Sequence, residues 1–474
     1  MCRHTQKKFI MEEHKSFRDT ITTADEEGHR KWVYASKPEG RFYKWRTLVS
    51  LIYLVVFFTL PFIKLHGEPL FLFNIPDSKF ILFGVIFWPQ DFFLFALGMV
   101  TFLVFIIFFT VLYGRLFCGW VCPQTVFMEM IFRKLEYWIE GTADQQRKLN
   151  KGPLTREKIV KKSFKHIIFF AFSFLVGNTF LAYIVGVDRL YEIMTEPVSQ
   201  NGGGLMMMVI FTTAFYGVFA FLREQVCTFA CPYGRLQGVL LDKFSIIVAY
   251  DYKRGEPRAH YHKGDINSTN GDCIDCGLCV RVCPTGIDIR NGTQLECINC
   301  TACIDACDSI MDKIEKPRGL IRYTSENNIV TGEKIKFTPR MKAYSLVLLI
   351  LISVLTTMLV TRKDVTATVT RASGQLYQKR DSLQITNLYN IKVANKTHDA
   401  FPIHLKLENI DGEIQMIGKE LSIEKETLAE GTFFIVLDRS QIHSMEMDLK
   451  IGVYNDDKLL RTVTTSFFGP VTKK

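Results

Sequence analysis

Several kinds of machinery are missing from this 474-residue chain. It has no phosphate-binding glycine loop, so nucleotide chemistry has no cradle. It has no paired carboxylates and no nucleophile set beside a base, which leaves hydrolytic chemistry without its groups. No nucleic-acid motif accompanies the net charge of +10, so the basic excess needs another cause. Charge is itself missing in blocks, with nearly uncharged runs at about Thr47 to Leu65, Phe92 to Tyr113, His166 to Val187, Leu205 to Leu222 and Ala343 to Val360. Each approaches the twenty or so residues that cross a bilayer as a helix, and five spans are expected. No cleavable signal is evident, because the first 46 residues are polar and the first apolar run is long enough to stay as an anchor. A shorter apolar piece, FILFGVIFWP from Phe80 to Pro89, reads as a re-entrant or interfacial segment, with an extra span as the lesser alternative.

The positive charges give an orientation. Eleven Lys plus Arg precede Thr47 and eleven more lie between Gly114 and Lys165, whereas Lys79 stands alone between Leu65 and Phe92, and Arg189 between Val187 and Leu205. The positive-inside rule then puts the N-terminus, the Gly114 to Lys165 segment and the cysteine-rich segment in the cytoplasm, in a multi-pass integral membrane protein. With five spans, everything after Val360 lies outside. That tail lacks cysteine and reads as alternating strands, ATVTRA, LYNIKVANKT, FPIHLKLEN, TFFIVLD, MEMDLKIGVYN and LLRTVTTSFF, separated by turns such as NIDGE and YNDDK. A β-sandwich is expected.

Cysteine is concentrated instead. From Cys273 to Cys307 the spacing C-x2-C-x2-C-x3-C occurs twice. In the bacterial ferredoxin run three close thiolates hold one cubane and the fourth ligates the other. That assigns Cys273, Cys276, Cys279 and Cys307 to one [4Fe-4S] cluster, and Cys297, Cys300, Cys303 and Cys283 to the second. A disulfide framework or a pair of zinc ribbons is the plainer alternative, but neither normally repeats three cysteines at two-residue gaps. Pro284 follows the first half, as in ferredoxins; Asp308 takes that place in the second, where its charge bears on the neighbouring cluster.

Four more cysteines follow apolar spans as C-x3-C-P: Cys118 and Cys122 in LYGRLFCGWVCPQTVF, Cys227 and Cys231 in FLREQVCTFACPYGRL. Amphipathic stretches follow both, MEMIFRKLEYWIE and LQGVLLDKFSIIV, so span, cysteine pair and surface helix form an internal repeat. Proline favours the first helical position, which makes Cys122 and Cys231 N-cap residues whose thiols the helix dipole would acidify. Packed side by side, the four sulfurs suit Cu(I), zinc or another iron–sulfur centre. Structural cysteine in a membrane helix is the bland alternative. Met206 to Met208 read more readily as lipid-facing than as copper ligands, His166 as an interfacial side chain, and Cys2 as an incidental thiol.

Paired C-x3-C-P motifs, the eight-cysteine segment, one more span and an exported β domain, in that order from about Lys44 to Phe468, resemble the FixG/CcoG/RdxA family of cytochrome oxidase accessory proteins. The membrane half is also similar to NapH-type quinol dehydrogenases, which generally lack the fifth span and the exported sandwich. The first resemblance implies maturation of a C-family haem–copper oxidase by reduction of Cu(II) to Cu(I), and an immunoglobulin-like C-terminal domain. The organisation expected is a basic arm at 1–46, a four-span region at 47–250, a dicluster ferredoxin domain at 251–320, a linker at 321–342, a fifth spanning helix at 343–360 and the sandwich at 361–474. Electrons would pass from a cytoplasmic donor or quinol through two [4Fe-4S] clusters to copper held by Cys118, Cys122, Cys227 and Cys231. That makes the protein an oxidoreductase of the cupric reductase type, with the bilayer, oxidase assembly factors or subunits, and copper ions as partners. A quinol dehydrogenase subunit and a passive Cu(I) carrier are the alternatives. Reporters fused after Gly264 and after Lys474 test the orientation: the first should be active only as a cytoplasmic marker, the second only as an exported one, and equal sidedness would mean a miscounted span.

Overall fold

The computed structural model describes residues 22–470 except 25–26, 28, 66, 77–78, 88–91, 261–269, 333–337, 363–364, 373, 375, 381–382, 398–399, 419–420 and 425–426. Cys2, Gly264 and the end of the Phe80 to Pro89 piece therefore lie outside the described residues. The chain divides into two units, one taking the residues up to Phe62 and Met99–Leu351, the other Ile63–Gly98 and everything from Ile352 onward.

Among the described residues five helices are long and apolar enough to cross a bilayer: Arg41–Phe62, Phe93–Tyr113, Arg156–Val185, Val198–Leu222 and Pro339–Val360. Several begin well before their apolar runs, because a helix continues through polar turns that leave the hydrocarbon. The third starts at a cap, where the Thr155 hydroxyl accepts the Lys158 N–H at 3.2 Å. The triple glycine at 202–204 lies inside the fourth helix.

In the first unit the cysteine-rich segment is framed by two strands, Ile247–Tyr250 and Ile321–Thr324, paired antiparallel with Ile247 opposite Thr324 and Tyr250 opposite Ile321. The stretch expected as a linker thus carries a strand, followed by the helix Glu326–Thr331. The amphipathic stretch after Cys231 also differs from its expected continuous helix. It is helical only over Pro232–Leu240, because the Asp242 carboxylate accepts the N–H groups of Phe244 and Ser245, each at 2.9 Å, and turns the chain into the strand. The N-terminal arm packs against the rest of the unit: Ser36 N–H donates to the Arg281 carbonyl at 2.8 Å and Tyr137 hydroxyl to the Ala35 carbonyl at 2.9 Å.

A buried ion network ties the two cysteine-pair repeats together. Arg223, just before the second pair, holds Glu136, just after the first, through two hydrogen bonds of 2.7 and 2.9 Å. Lys165 adds contacts of 3.4 Å to Glu136 and 3.0 Å to Glu140 from the third spanning helix. Glu224 meets Arg30 at 3.0 Å and Arg133 at 3.9 Å. Gln124 Nε2 donates to the Arg223 carbonyl at 3.2 Å, joining residues two after Cys122 and four before Cys227. Arg223 carries a φ of 53°, a left-handed conformation that this set of contacts holds in place.

In the second unit Phe80 to Phe87, expected as a re-entrant or interfacial segment with an extra span as the lesser alternative, is β structure and so forms no helical span. Lys79–Leu82 and Val85–Phe87 are strands of a three-stranded antiparallel sheet with Phe71–Asn74, registered Phe80 opposite Phe87 and Leu72 opposite Ile81. The tail contains a sandwich whose main strands we number β1 (Val365–Arg371), β2 (Gln384–Asn395), β3 (His404–Leu407), β4 (Glu413–Ile417), β5 (Leu428–Asp438), β6 (Glu446–Asn455) and β7 (Lys458–Phe468). One sheet runs β4-β5-β2-β1 and the other β3-β6-β7. Alternate residues of β2 point inward, so Tyr389, Ile391 and Val393 are fully buried with Phe433, Ile451 and Phe467. Tyr389 stacks on Phe433 at 5.6 Å and donates its hydroxyl to the Ser466 carbonyl at 2.9 Å, stapling the two sheets.

Burial opposes ionisation of Glu136, but Arg223, Lys165 and Arg133 outweigh it and hold the carboxyl below its ordinary range. Its contribution is therefore complete above the unfolded carboxylate pKa of about 4.3 and is lost as pH falls through the lower folded value. Glu136→Gln leaves Arg223 without its carboxylate, and denaturant unfolding in detergent should show a loss of about 3–5 kcal/mol at pH 7. The difference from wild type should shrink under acid, whereas a change below about 0.5 kcal/mol would show that the pair is not structural.

Candidate redox site

The eight closely spaced cysteines line two cavities. Cys273, Cys276, Cys279 and Cys307 surround one. Cys283, Cys297, Cys300 and Cys303 surround the other, and Cys279 borders both. The partition follows the crossed spacing: the fourth cysteine of each half lies with the first three of the other. Ile287, Ile289, Leu320 and Ile321 complete apolar walls around the thiols. The outer cavity reaches solvent at Cys276, which is exposed; Cys273, Cys279 and Cys300 are buried.

Each loop winds around its cavity by the same device. The residues on both sides of the middle cysteine adopt left-handed backbone: Asp275 (φ 55°) and Gly277 (φ 63°) around Cys276, Asn299 (φ 54°) and Thr301 (φ 67°) around Cys300. Glycine accepts this freely, whereas a β-branched threonine is an outlier there. Thr301 stands at the N-terminal boundary of the helix Ala302–Lys313, which carries Cys303 and Cys307, and its hydroxyl donates to the Cys300 carbonyl at 2.5 Å. Between those two cysteines Asp305 accepts the N–H groups of Phe42 and Tyr43 at 3.1 and 2.8 Å, tying the start of the first spanning helix to the cavity wall. Asp308, in the position where proline is usual, accepts the Gly319 N–H at 3.0 Å.

The C-x3-C-P pairs repeat in structure as well as sequence. Cys122 and Cys231 donate their N–H groups to carbonyls five residues back, Phe117 at 2.9 Å and Val226 at 2.8 Å. Both occupy N-cap positions before Pro123 and Pro232, and the Cys231 sulfur accepts the Gly234 N–H at 3.4 Å. Wide π-helical turns flank both pairs, at Phe127–Phe132, Val218–Leu222 and Val226–Ala230. The four thiols interact electrostatically with one another. Among the described residues no three His, Cys, Asp or Glu side chains converge on a single metal position. A cubane takes one thiolate per iron, so its ligands stand apart around a cavity; a mononuclear four-sulfur site would need them drawn together.

The Cys122 thiol is not acidified as its capping position predicts. Burial, reinforced by the neighbouring sulfurs, pushes Cys118 up to about 11 and Cys227 up to about 12, and it raises Cys122 as well. Desolvation exceeds the dipole of a helix that runs only over Pro123–Val126. Cys279, Cys297 and Cys307 are likewise pushed up to about 12 by burial. The apolar cavities and protonated thiols fit a metal cluster that displaces the protons when it binds, with metal affinity falling at low pH.

The two sets of cysteines abut through backbone. A Cβ at Gly119, inside the first C-x3-C loop, would overlap the Ile298 carbonyl oxygen and lie 3.0 Å from the Asn299 carbonyl carbon, inside the Cys297 to Cys300 loop. Cys118 packs in one cluster with Ile298, Cys300 and Val282. Its thiol donates to Gln237 Oε1 at 3.0 Å. His166 stands apart from this set, between the third and fourth spanning helices, 2.9 Å from the Tyr216 hydroxyl. Met206 and Met207 are exposed on the fourth helix while Met208 is buried.

Comparison with known proteins bears on each part. A profile described as "4Fe-4S dicluster domain" matches residues 222–326, one described as "4Fe-4S binding domain" matches 95–141, and one described as "IG-like fold at C-terminal of FixG, putative oxidoreductase" matches 355–470. Nitrogen fixation protein FixG of Rhizobium meliloti is 37% identical over 62% of this chain and 57% of its own length. Protein RdxB of Cereibacter sphaeroides is 32% identical over 78% of this chain and 80% of its own. Ferredoxin-type protein NapH of Escherichia coli is 26% identical over 37% of this chain and 62% of its own. The matched region thus spans little more than half of FixG and four-fifths of RdxB.

Gly119→Ala forces the first cysteine loop off the Ile298 carbonyl, an overpacking that costs about 1–3 kcal/mol. Cys118, 6% exposed, should then be alkylated by a maleimide about tenfold faster, read by peptide mass spectrometry. An unchanged rate would show that the loops are not in tight contact.

Proposed function

The chain belongs to the FixG/RdxA family of iron–sulfur electron-transfer membrane proteins, and we propose that it reduces Cu(II) to Cu(I) for assembly of a C-family haem–copper cytochrome c oxidase. The observation that carries this reading is the shared wall between the inner thiol cavity and the Cys118 to Cys122 loop. Cys273, Cys276, Cys279 and Cys307 hold the outer [4Fe-4S] cluster, and Cys297, Cys300, Cys303 and Cys283 the inner one. Bound there, each cluster supplies reversible one-electron transfer. The apolar walls exclude water, the left-handed loops wind the chain around each cavity, and Gly119 keeps the first C-x3-C loop at van der Waals distance from the inner ligands.

Copper is the substrate. Cu(II) takes one electron and becomes Cu(I), which the soft sulfurs of Cys118, Cys122, Cys227 and Cys231 retain preferentially. A cytoplasmic reductant replaces that electron at the exposed outer end; a quinol, giving two electrons and two protons per molecule, is the other donor class. The N-terminus and cysteine segment face the cytoplasm and the sandwich is exported, with residues 251–320 acting as the ferredoxin domain. Oxidase subunits or assembly factors receive the copper.

A second reading has its own support. The profile over 95–141 is described as 4Fe-4S binding and includes Cys118 and Cys122, and the four C-x3-C-P thiols do not converge on one position. On that reading they hold a third cluster.

Anaerobically purified protein decides between them. Two cubanes give about eight irons and eight acid-labile sulfides per chain, and three give about twelve. With eight, replacing both Cys122 and Cys231 by serine should abolish Cu(II) reduction while the iron content and cluster spectrum persist, since serine still caps both helices. Undiminished reduction by that variant would overturn the copper site. Twelve irons, falling to eight in the variant, would replace it with the third cluster.

A further inference from the structure

Two arginines are buried beside the inner cavity with no carboxylate to neutralise them. Arg46 is 2% exposed and Arg115 3%. Among the described residues neither forms an ion pair, although Arg30, Arg133, Arg223, Arg254 and Arg290 all do. Arg46 Nε donates to the Gly119 carbonyl at 2.7 Å, and its Nη2 is buried without a partner. Its charge acts on Cys300. Arg115 donates to the Leu295 carbonyl, and its Nε lies 3.3 Å from Gln237 Oε1, the acceptor of the Cys118 thiol. Its charge acts on Cys118, Cys227 and Cys297. At the corresponding place in the second repeat, three residues before the first cysteine, stands Glu224, which belongs to the ion network instead.

An uncompensated buried guanidinium costs several kcal/mol unless an anion comes to it. Asp305, the buried carboxylate between Cys303 and Cys307, accepts the Phe42 and Tyr43 N–H groups and, among the described residues, pairs with neither arginine. The anion left to them is the centre itself, because four thiolates and an iron–sulfur core carry net negative charge that grows on reduction. Glu129, which also acts on Cys300, is held by Arg133 at 3.1 Å. The outer cavity is set differently. Its nearby cation, Arg290, is paired with Asp288 at 2.7 Å and with Asp275, and Asp308 adds negative charge beside Cys307.

We propose that Arg46 and Arg115 are the counter-charges of the inner cluster and raise its reduction potential relative to the outer one, so that electrons run inward from exposed Cys276 toward the C-x3-C-P cysteines. This rests on the iron–sulfur reading of the preceding subsection. Burial alone works the other way, since a deeply enclosed centre resists added negative charge. The same burial strengthens the field of two unpaired cations, because little water screens it. The two residues are positioning groups for the transfer and bind no substrate.

The test is a redox titration of the full-length protein in detergent, followed by electron paramagnetic resonance. Cys276→Ser, which perturbs only the outer centre, identifies its signal. Arg46→Gln and Arg115→Gln should each move the inner signal to lower potential, further in the double variant, and leave the outer signal in place. Arg46→Lys and Arg115→Lys keep the charge and should stay close to wild type. Should Arg115→Gln lose iron through its lost bond to Leu295, Arg46→Gln decides alone. An unmoved inner signal in iron-replete Gln variants, or equal shifts of both signals, would overturn the proposal and leave the cluster reading intact. Wild-type protein without two cluster signals would overturn that reading itself.

Discussion

The close approach of Gly119 to the Ile298 and Asn299 backbone is the contact on which the redox arrangement depends. Without it the cysteines would be two separate groups, one set in an inserted domain and one at the ends of spanning helices. Side chains at that seam would add several ångströms to any electron path; glycine removes the first of them. The rest of the first unit is organised to keep the seam closed. Asp305 pins the start of the first spanning helix to the helix that bears Cys303 and Cys307, Arg46 reaches from that spanning helix to the Gly119 carbonyl, and the paired strands at 247–250 and 321–324 close the insert behind them.

Electrostatics divides the same region into two regimes. Glu136, Glu140 and Glu224 are buried and each is paired with arginine or lysine, so they fix the two repeats against each other. Beside the inner cavity two buried arginines, Arg46 and Arg115, form no ion pair among the described residues. A buried charge left uncompensated is destabilising, so their place beside the thiols bears on redox chemistry.

Parts of this were legible in the sequence because they are local. Ligand spacing, long uncharged runs and strand alternation are each written within a few residues of one another, so the cavity partition of the cysteines, the five spanning helices and the main sandwich strands were all expected. The secondary structure of short apolar runs is not decidable from sequence: FILFGVIF is as suited to a buried strand as to part of a helix, and pairing with Phe71–Asn74 makes it strand. The helix expected after Cys231 stops at an Asp242 side-chain turn that overrides its apolar periodicity. The order of the N-terminal arm depends on partners as distant as Arg281 and Glu224. The capping geometry at Cys122 was foreseeable, but its consequence for the thiol was not, because burial is set by the whole fold. Arg46 and Arg115 looked like two more members of a positive-inside cluster; their lack of carboxylate partners appears only in three dimensions.

The central claim is that the eight-cysteine segment and the C-x3-C-P cysteines form one electron route ending on copper. Protein reduced anaerobically, freed of excess reductant and mixed rapidly with Cu(II) tests it in a single turnover. The account predicts that the clusters reoxidise as Cu(I) appears, one Cu(I) for each electron lost and about two per chain. Clusters that stay reduced while Cu(II) persists, or Cu(I) that forms without cluster reoxidation, would contradict it.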